Sequence, residues 1–104
     1  MGPEERDLVR VLKKLNGIGG AWYRTPRSRF TPSGMPDIIG CLRGWFLAAE
    51  IKRFKGSKSY GITPVQQARL NRLQVEGAGV ALINSEESLN AFLDVLQRFK
   101  DANP

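Results

Sequence analysis

PDIIGCLRGWFLAAEIK, residues 36 to 52, is the stretch on which the fold turns. Two apolar runs, DIIGCL and WFLAAEIK, flank Arg43-Gly44, a two-residue hairpin turn weaker in signal than Asn-Gly. With that turn, Leu42 faces Trp45, and successive pairs run back until Asp37 falls opposite Glu50. A strand alternates its side chains, so Glu50 and Lys52 share one face and Ile51 takes the other. Asp37, Glu50 and Lys52 therefore converge on one side of the sheet. The rest is apolar on both faces: Ile39, Cys41, Phe46 and Ala48 on one, Ile38, Leu42, Trp45, Leu47, Ala49 and Ile51 on the other. That pattern predicts a sheet covered on both sides, with Cys41 as core packing.

Two carboxylates facing each other in such a sheet destabilise it, and desolvation adds to the cost. Three arrangements compensate. One carboxyl stays protonated, Lys52 pairs with both acids as a structural ion cluster, or a divalent cation sits between them. Hard oxygen ligands around a small site suit Mg²⁺ or Mn²⁺. In that third case the cation activates water, and Lys52 stabilises charge on a phosphate or positions the nucleophile.

Outward from the hairpin, residues 4 to 16 read as a helix, with Leu8, Val11, Leu12 and Leu15 at helical spacing. Acids in its first turn and lysines near its end suit the macrodipole, and Asn16-Gly17 and Gly19-Gly20 stop it. AWYRT, 21 to 25, is a short strand, and PRSRFTPSGMP, 26 to 36, a loop. RFKGSKSYG, 53 to 61, is a basic loop. Thr63 caps a second helix with Pro64 at its first position, and Gly77 ends it. VALIN, 80 to 84, is a buried-type strand, and Ser85 caps a last helix with Leu89, Phe92, Leu93, Leu96 and Phe99 along one face. The order αβββαβα predicts one α/β domain over residues 1–104, with helices flanking a mixed central sheet.

Composition narrows the chemistry. The 104 residues are 41% apolar, enough for one modest core. Sixteen Lys and Arg against 10 acids give a net charge of +6, which favours a polyanionic partner. With no histidine, histidine general bases and histidine–metal sites are excluded. With one cysteine, an intrachain disulfide and a cysteine zinc site are excluded too, and a reducing cytoplasm fits. No apolar run approaches the roughly 18 residues of a membrane-spanning helix, and the N-terminus lacks an apolar signal core.

Pro36-Asp37 followed by Glu50-Ile51-Lys52 across a hairpin resembles the signature of the PD-(D/E)xK nucleases. More closely, GMPDIIG (34 to 40), FLAAEIK (46 to 52), TPVQ (63 to 66) and GAGVALINSEES (77 to 88) resemble a stand-alone VRR-NUC domain, the viral-type replication-repair nuclease family, over nearly the whole chain. The resemblance implies a restriction-endonuclease-like αβββαβ core with a further C-terminal helix. It implies that Asp37 and Glu50 bind metal with the carbonyl of Ile51, that Lys52 is the catalytic lysine, and that Gln66 supports the site. Gln66 shares a helix face with Leu70 and Leu73, so its amide heads a buried stripe; an ordinary exposed glutamine is the other reading. The family also places a glutamate on the first helix. Glu4 and Glu5 both precede the leucine stripe, and the family spacing favours Glu5; a solvated acid at the helix N-terminus is the other reading.

Arg24, Arg27 and Arg29 precede the site, and Arg53, Lys55 and Lys58 follow it, a set suited to neutralising phosphates. Tyr23, Phe30 and Tyr60 lie among them and suit either base stacking or packing. Trp22 and Trp45 read as core or interface residues. The resulting expectation is an Mg²⁺- or Mn²⁺-dependent DNA endonuclease. The resemblance implies a homodimer acting on branched DNA such as Holliday junctions, in a bacterial or phage-infected cell. The competing expectation is a non-catalytic DNA-binding or partner-binding module on the same fold.

Overall fold

The computed structural model describes residues 2–54 and 61–104. Seven elements follow in the predicted order: α1 (Pro3–Ile18), β1 (Ala21–Arg24), β2 (Ile38–Leu42), β3 (Trp45–Ile51), α2 (Pro64–Val75), β4 (Gly79–Ile83) and α3 (Glu86–Ala102). The sheet order is β1-β2-β3-β4. β1, β2 and β3 are successively antiparallel, and β4 joins β3 in parallel after the α2 crossover. This is the α/β architecture with a mixed sheet and a C-terminal helix that the sequence predicts.

The hairpin forms in the predicted register, from Leu42↔Trp45 to Ile38↔Ala49. Arg43 and Gly44 have φ values of 50° and 83°, so both turn residues lie in the left-handed region. That conformation matches the right-handed twist of the flanking strands, and Gly44 takes it without a Cβ penalty.

α1 runs further than expected. It passes through Gly17 and ends at Gly19, whose φ is 113°. Lys13 and Lys14 are therefore upstream of its last turn, and the C-terminal carbonyls find a cation from elsewhere: Lys100 Nζ of α3 donates to the Ile18 carbonyl at 2.5 Å. α2 ends as predicted. The Gly77 N–H donates to Gln74 and the Ala78 N–H to Leu73, the paired bonds of a Schellman terminus.

The main core lies between one sheet face and the helices α1 and α3. Leu8, Val11 and Leu15 from α1 meet Leu89, Phe92 and Leu96 from α3 over Ile38, Leu42, Leu47, Ala49 and Ile51. Trp22 belongs to this core at 5% exposure, edge-on to Phe92 with centroids 6.4 Å apart. Gly40 makes room for it, because a Cβ there would lie 2.3 Å from the indole. Trp45 packs on Phe99 at 4.7 Å and donates to the Gly77 carbonyl.

The opposite face departs from expectation. A helix is about 10 Å across while strands repeat every ~4.8 Å, so one helix covers about two strands. α1 and α3 both take the first face, which leaves only α2 for the second. α2 lies toward β4, burying Leu70. Among the described residues nothing covers the sheet over β1 and β2 on this side. Tyr23 is 65% and Phe46 42% exposed, and Cys41 is exposed rather than packed in a core. Together with Ala21, Ile39 and Gly40 they form a shallow apolar hollow. Among the described residues no helix is long and apolar enough to cross a membrane.

Candidate metal centre

Asp37 immediately precedes β2, and Glu50 is the penultimate residue of β3. Extending the observed register by one pair sets them opposite each other, on the face that α2 covers. Both are buried, at 3% and 1% exposure. Such acids need partners, and each has them.

Asp37 is a staple as well as a charge. Its Oδ2 accepts the Ile51 N–H at 2.8 Å, joining the end of β2 to the end of β3 through a side chain. Its own carbonyl accepts the Thr25 N–H at 2.9 Å, which fixes the exit of β1. The guanidinium of Arg27, largely exposed, reaches in from the loop between β1 and β2 and pairs with Oδ1.

Glu50 is held from α2. Gln66 Nε2 donates to its Oε1 at 3.2 Å. The orientation of that amide follows from the helix cap. Thr63 caps α2 and accepts the Gln66 N–H, while Gln66 Oε1 accepts the Thr63 N–H at 3.0 Å. This reciprocal capping box consumes the amide oxygen and turns the NH₂ toward Glu50. One side chain thus starts the helix and orients the acid.

Lys52 lies two residues beyond Glu50 and is half-buried. Its backbone N–H donates to the Ile83 carbonyl at 2.9 Å, so β4 fixes its position. The chain just after it is tied to α1: the Phe54 N–H donates to Asp7 Oδ2 at 3.1 Å, and Arg10 stands 5.4 Å over the Phe54 ring while pairing with Glu86.

The structure thus brings Asp37, Glu50, Ile51, Lys52 and Gln66 to one end of the sheet. Glu5 is engaged elsewhere, in a bidentate pair with Arg24 at 2.6 and 2.9 Å. Among the described residues no three acids cluster as a metal cage. The Glu4 side chain lies outside the described set, as do Lys55, Lys58 and Tyr60. Of the basic residues expected to meet phosphates, Arg24 and Arg27 hold carboxylates, Arg29 lies 4.9 Å over the Phe30 ring, and Arg53 is half-buried.

Two partnerships escaped the sequence reading. TPVQ carries the T-x-x-Q spacing of a capping box, a signal that was available for the orientation of Gln66. Arg27 as the Asp37 partner carried no signal, since nine residues of loop separate them and only the fold closes the gap.

The donor set fits a hard divalent cation. It offers two buried carboxylates and the Ile51 carbonyl, all oxygen, with no imidazole and no nearby thiolate among the described residues. The sequence profile of a family described as archaeal Holliday junction resolvase matches residues 2–91. That family is one of the PD-(D/E)xK nucleases. No curated protein matches the chain.

Proposed function

The chain belongs to the archaeal Holliday junction resolvase family, a family of nucleases, and on that premise we propose that it is an Mg²⁺- or Mn²⁺-dependent endonuclease that cuts branched DNA. The observation that carries the proposal is the buried pair Asp37 and Glu50, set opposite each other on the hairpin, with Gln66 aimed at the second acid. Within the nuclease superfamily, GMPDIIG, TPVQ and GAGVALINSEES support a finer likeness to stand-alone VRR-NUC domains.

Asp37, Glu50 and the Ile51 carbonyl would hold the cation. A cation bound there would supply activation of a water and neutralisation of charge on the scissile phosphate. Asp37 keeps Oδ2 on the Ile51 N–H, which fixes the direction of the neighbouring carbonyl. Arg27 must yield Oδ1, and a phosphate is the natural acceptor for its freed guanidinium. Gln66 keeps the Glu50 carboxylate from rotating. Lys52 supplies a positive charge beside the phosphorane-like transition state, where a fixed cation acts more strongly than in water. Glu5 is a weaker candidate ligand, because reaching the cation requires it to leave Arg24.

A four-way junction has two-fold symmetry and is resolved by two cuts, whereas one chain supplies one Asp37/Glu50 pair. The bare apolar face around Tyr23, Ile39, Cys41 and Phe46 supports a second copy as its occupant.

The test is cleavage of a matched set of labelled DNAs: four-way junction, 5′ flap, 3′ flap, duplex and single strand. Each is incubated with Mg²⁺, Mn²⁺ or EDTA, beside Asp37→Asn. The expected result is metal-dependent cutting of branched substrates that the variant lacks. Binding without cutting under every metal would leave a non-catalytic DNA-binding module.

A further inference from the structure

We propose that Phe30, with the Arg29 guanidinium across its ring, is a stacking platform for an unpaired base at a DNA branch point, and that it sets the preference for branched over continuous duplex. The inference deepens the nuclease reading above and rests on it.

Phe30 is the most exposed large apolar side chain among the described residues, at 81%. A single exposed apolar side chain is ordinary on a surface; what distinguishes this ring is the guanidinium across it and the loop that holds it out. The loop that presents it is built rather than slack. The Thr31 hydroxyl donates to the Pro26 carbonyl at 2.8 Å, the Thr31 N–H to the Ser28 carbonyl at 3.1 Å, and the Phe30 N–H to Ser28 Oγ at 3.2 Å. Arg69 of α2 donates to the Ser33 carbonyl at 3.1 Å, tying the far side of the loop to the helix that carries Gln66. Gly34 packs so closely on Val65 that a Cβ there would meet it at 2.5 Å. A fixed loop holds its aromatic ring outward at little ordering cost on binding.

The partner follows from charge and position. Arg29 lies 4.9 Å from the ring centroid, and Arg27 is three residues before Phe30. A ring with a guanidinium across one face suits a base attached to phosphates, since the ring takes the base face and the cation takes the backbone. Arg27 is also the residue that touches Asp37. Three residues of chain span at most about 11 Å, so the platform stands a short stretch of strand away from the metal acids. Continuous duplex hides both faces of every internal base, whereas a branch point can release one. The ring therefore gains a partner on branched DNA that continuous duplex does not offer.

The test is equilibrium binding to a four-way junction and to duplex of the same length, in EDTA so that nothing is cut, for the wild type, Phe30→Ala and Phe30→Trp. Stacking of one base is worth about 1–3 kcal/mol, so Phe30→Ala should lose about five- to 150-fold on the junction. Duplex affinity and melting temperature should not change, and Phe30→Trp should retain junction binding. 2-Aminopurine at the branch point should change its fluorescence with the wild type and not with Phe30→Ala. Junction affinity unchanged in Phe30→Ala overturns the inference and leaves the nuclease reading standing. A change of oligomeric state in Phe30→Ala also overturns it, because the ring then seats on a second copy. A wild type with no junction preference overturns the inference together with the branched-DNA reading.

Discussion

Replacing Asp37 by Ala and by Asn separates its two jobs. Ala removes the acceptor of the Ile51 N–H, a bond of 2.8 Å at a residue with no solvent exposure. A buried donor left without a partner costs about 1–3 kcal/mol. Arg27 also loses its partner, but its side chain is 69% exposed and returns to water, so that loss is at most ~1 kcal/mol. Relief of the repulsion with Glu50 offsets roughly the same amount. The net loss for Asp37→Ala is therefore about 1–3 kcal/mol. At ~4–8 °C per kcal/mol for a domain near this size, the melting temperature should fall by about 5–20 °C. Asn keeps a carbonyl oxygen for the Ile51 N–H and should lose less than about 1 kcal/mol. The assay is thermal unfolding followed by circular dichroism, with EDTA and with saturating Mn²⁺. A ligand at a hundred times its dissociation constant stabilises by about 2.7 kcal/mol, so the wild type should gain upward of ~10 °C with Mn²⁺ and both variants should gain nothing. Equal stability of wild type and Asp37→Ala in EDTA would refute the staple. A full Mn²⁺ gain in Asp37→Asn would refute its role as a metal ligand.

Lys52→Ala should keep the fold and the Mn²⁺ gain, because the backbone bond to Ile83 survives, yet lose cleavage by about 10²-fold or more; full activity would remove the lysine from the mechanism. Arg27→Gln should bind Mn²⁺ about fivefold more tightly in calorimetry without DNA, as a competitor worth ~1 kcal/mol leaves Oδ1. Weaker or unchanged Mn²⁺ binding would show that Arg27 does not compete for the site. Replacing Arg53, Lys55 and Lys58 together by Gln should reduce the slope of log affinity for DNA against log salt by about 0.9 for each phosphate no longer neutralised, and an unchanged slope would place the phosphate track elsewhere. Phe46→Glu should convert a dimer to the 11.6 kDa monomer in sedimentation experiments, whereas a monomeric wild type would refute the assignment of the bare sheet face to a second copy.

The sequence disclosed most where a local rule had global reach. Arg43-Gly44 fixed the hairpin register, and the register alone set Asp37 against Glu50. It disclosed least where the answer depended on how many helices a face receives. Ile39, Cys41 and Phe46 look like core residues in any strand pattern. Only the stacking of α1 beside α3 shows that one helix remains for the other side and cannot span it. The arginines were opaque for a related reason. Loop spacing marked Arg24 and Arg27 as basic, but their carboxylate partners, Glu5 and Asp37, come from other elements of the fold. Gln66 stands between these cases. Its capping box is a local pattern, while the acid its amide meets is a tertiary one.

The hold that β4 exerts on Lys52 has a bearing on the order in which these groups come together. Asp37, Glu50 and Lys52 all precede α2 and β4 in the chain. The backbone bond that sets Lys52 comes from Ile83, near the end of β4, and the cation that caps α1 is Lys100. A nascent chain with only its hairpin outside the ribosome carries both acids but neither anchor. The acids, the lysine and the glutamine come into register only after α2 and β4 have emerged and docked. Assembly of these groups thus waits on β4 as well as on the hairpin that carries the acids.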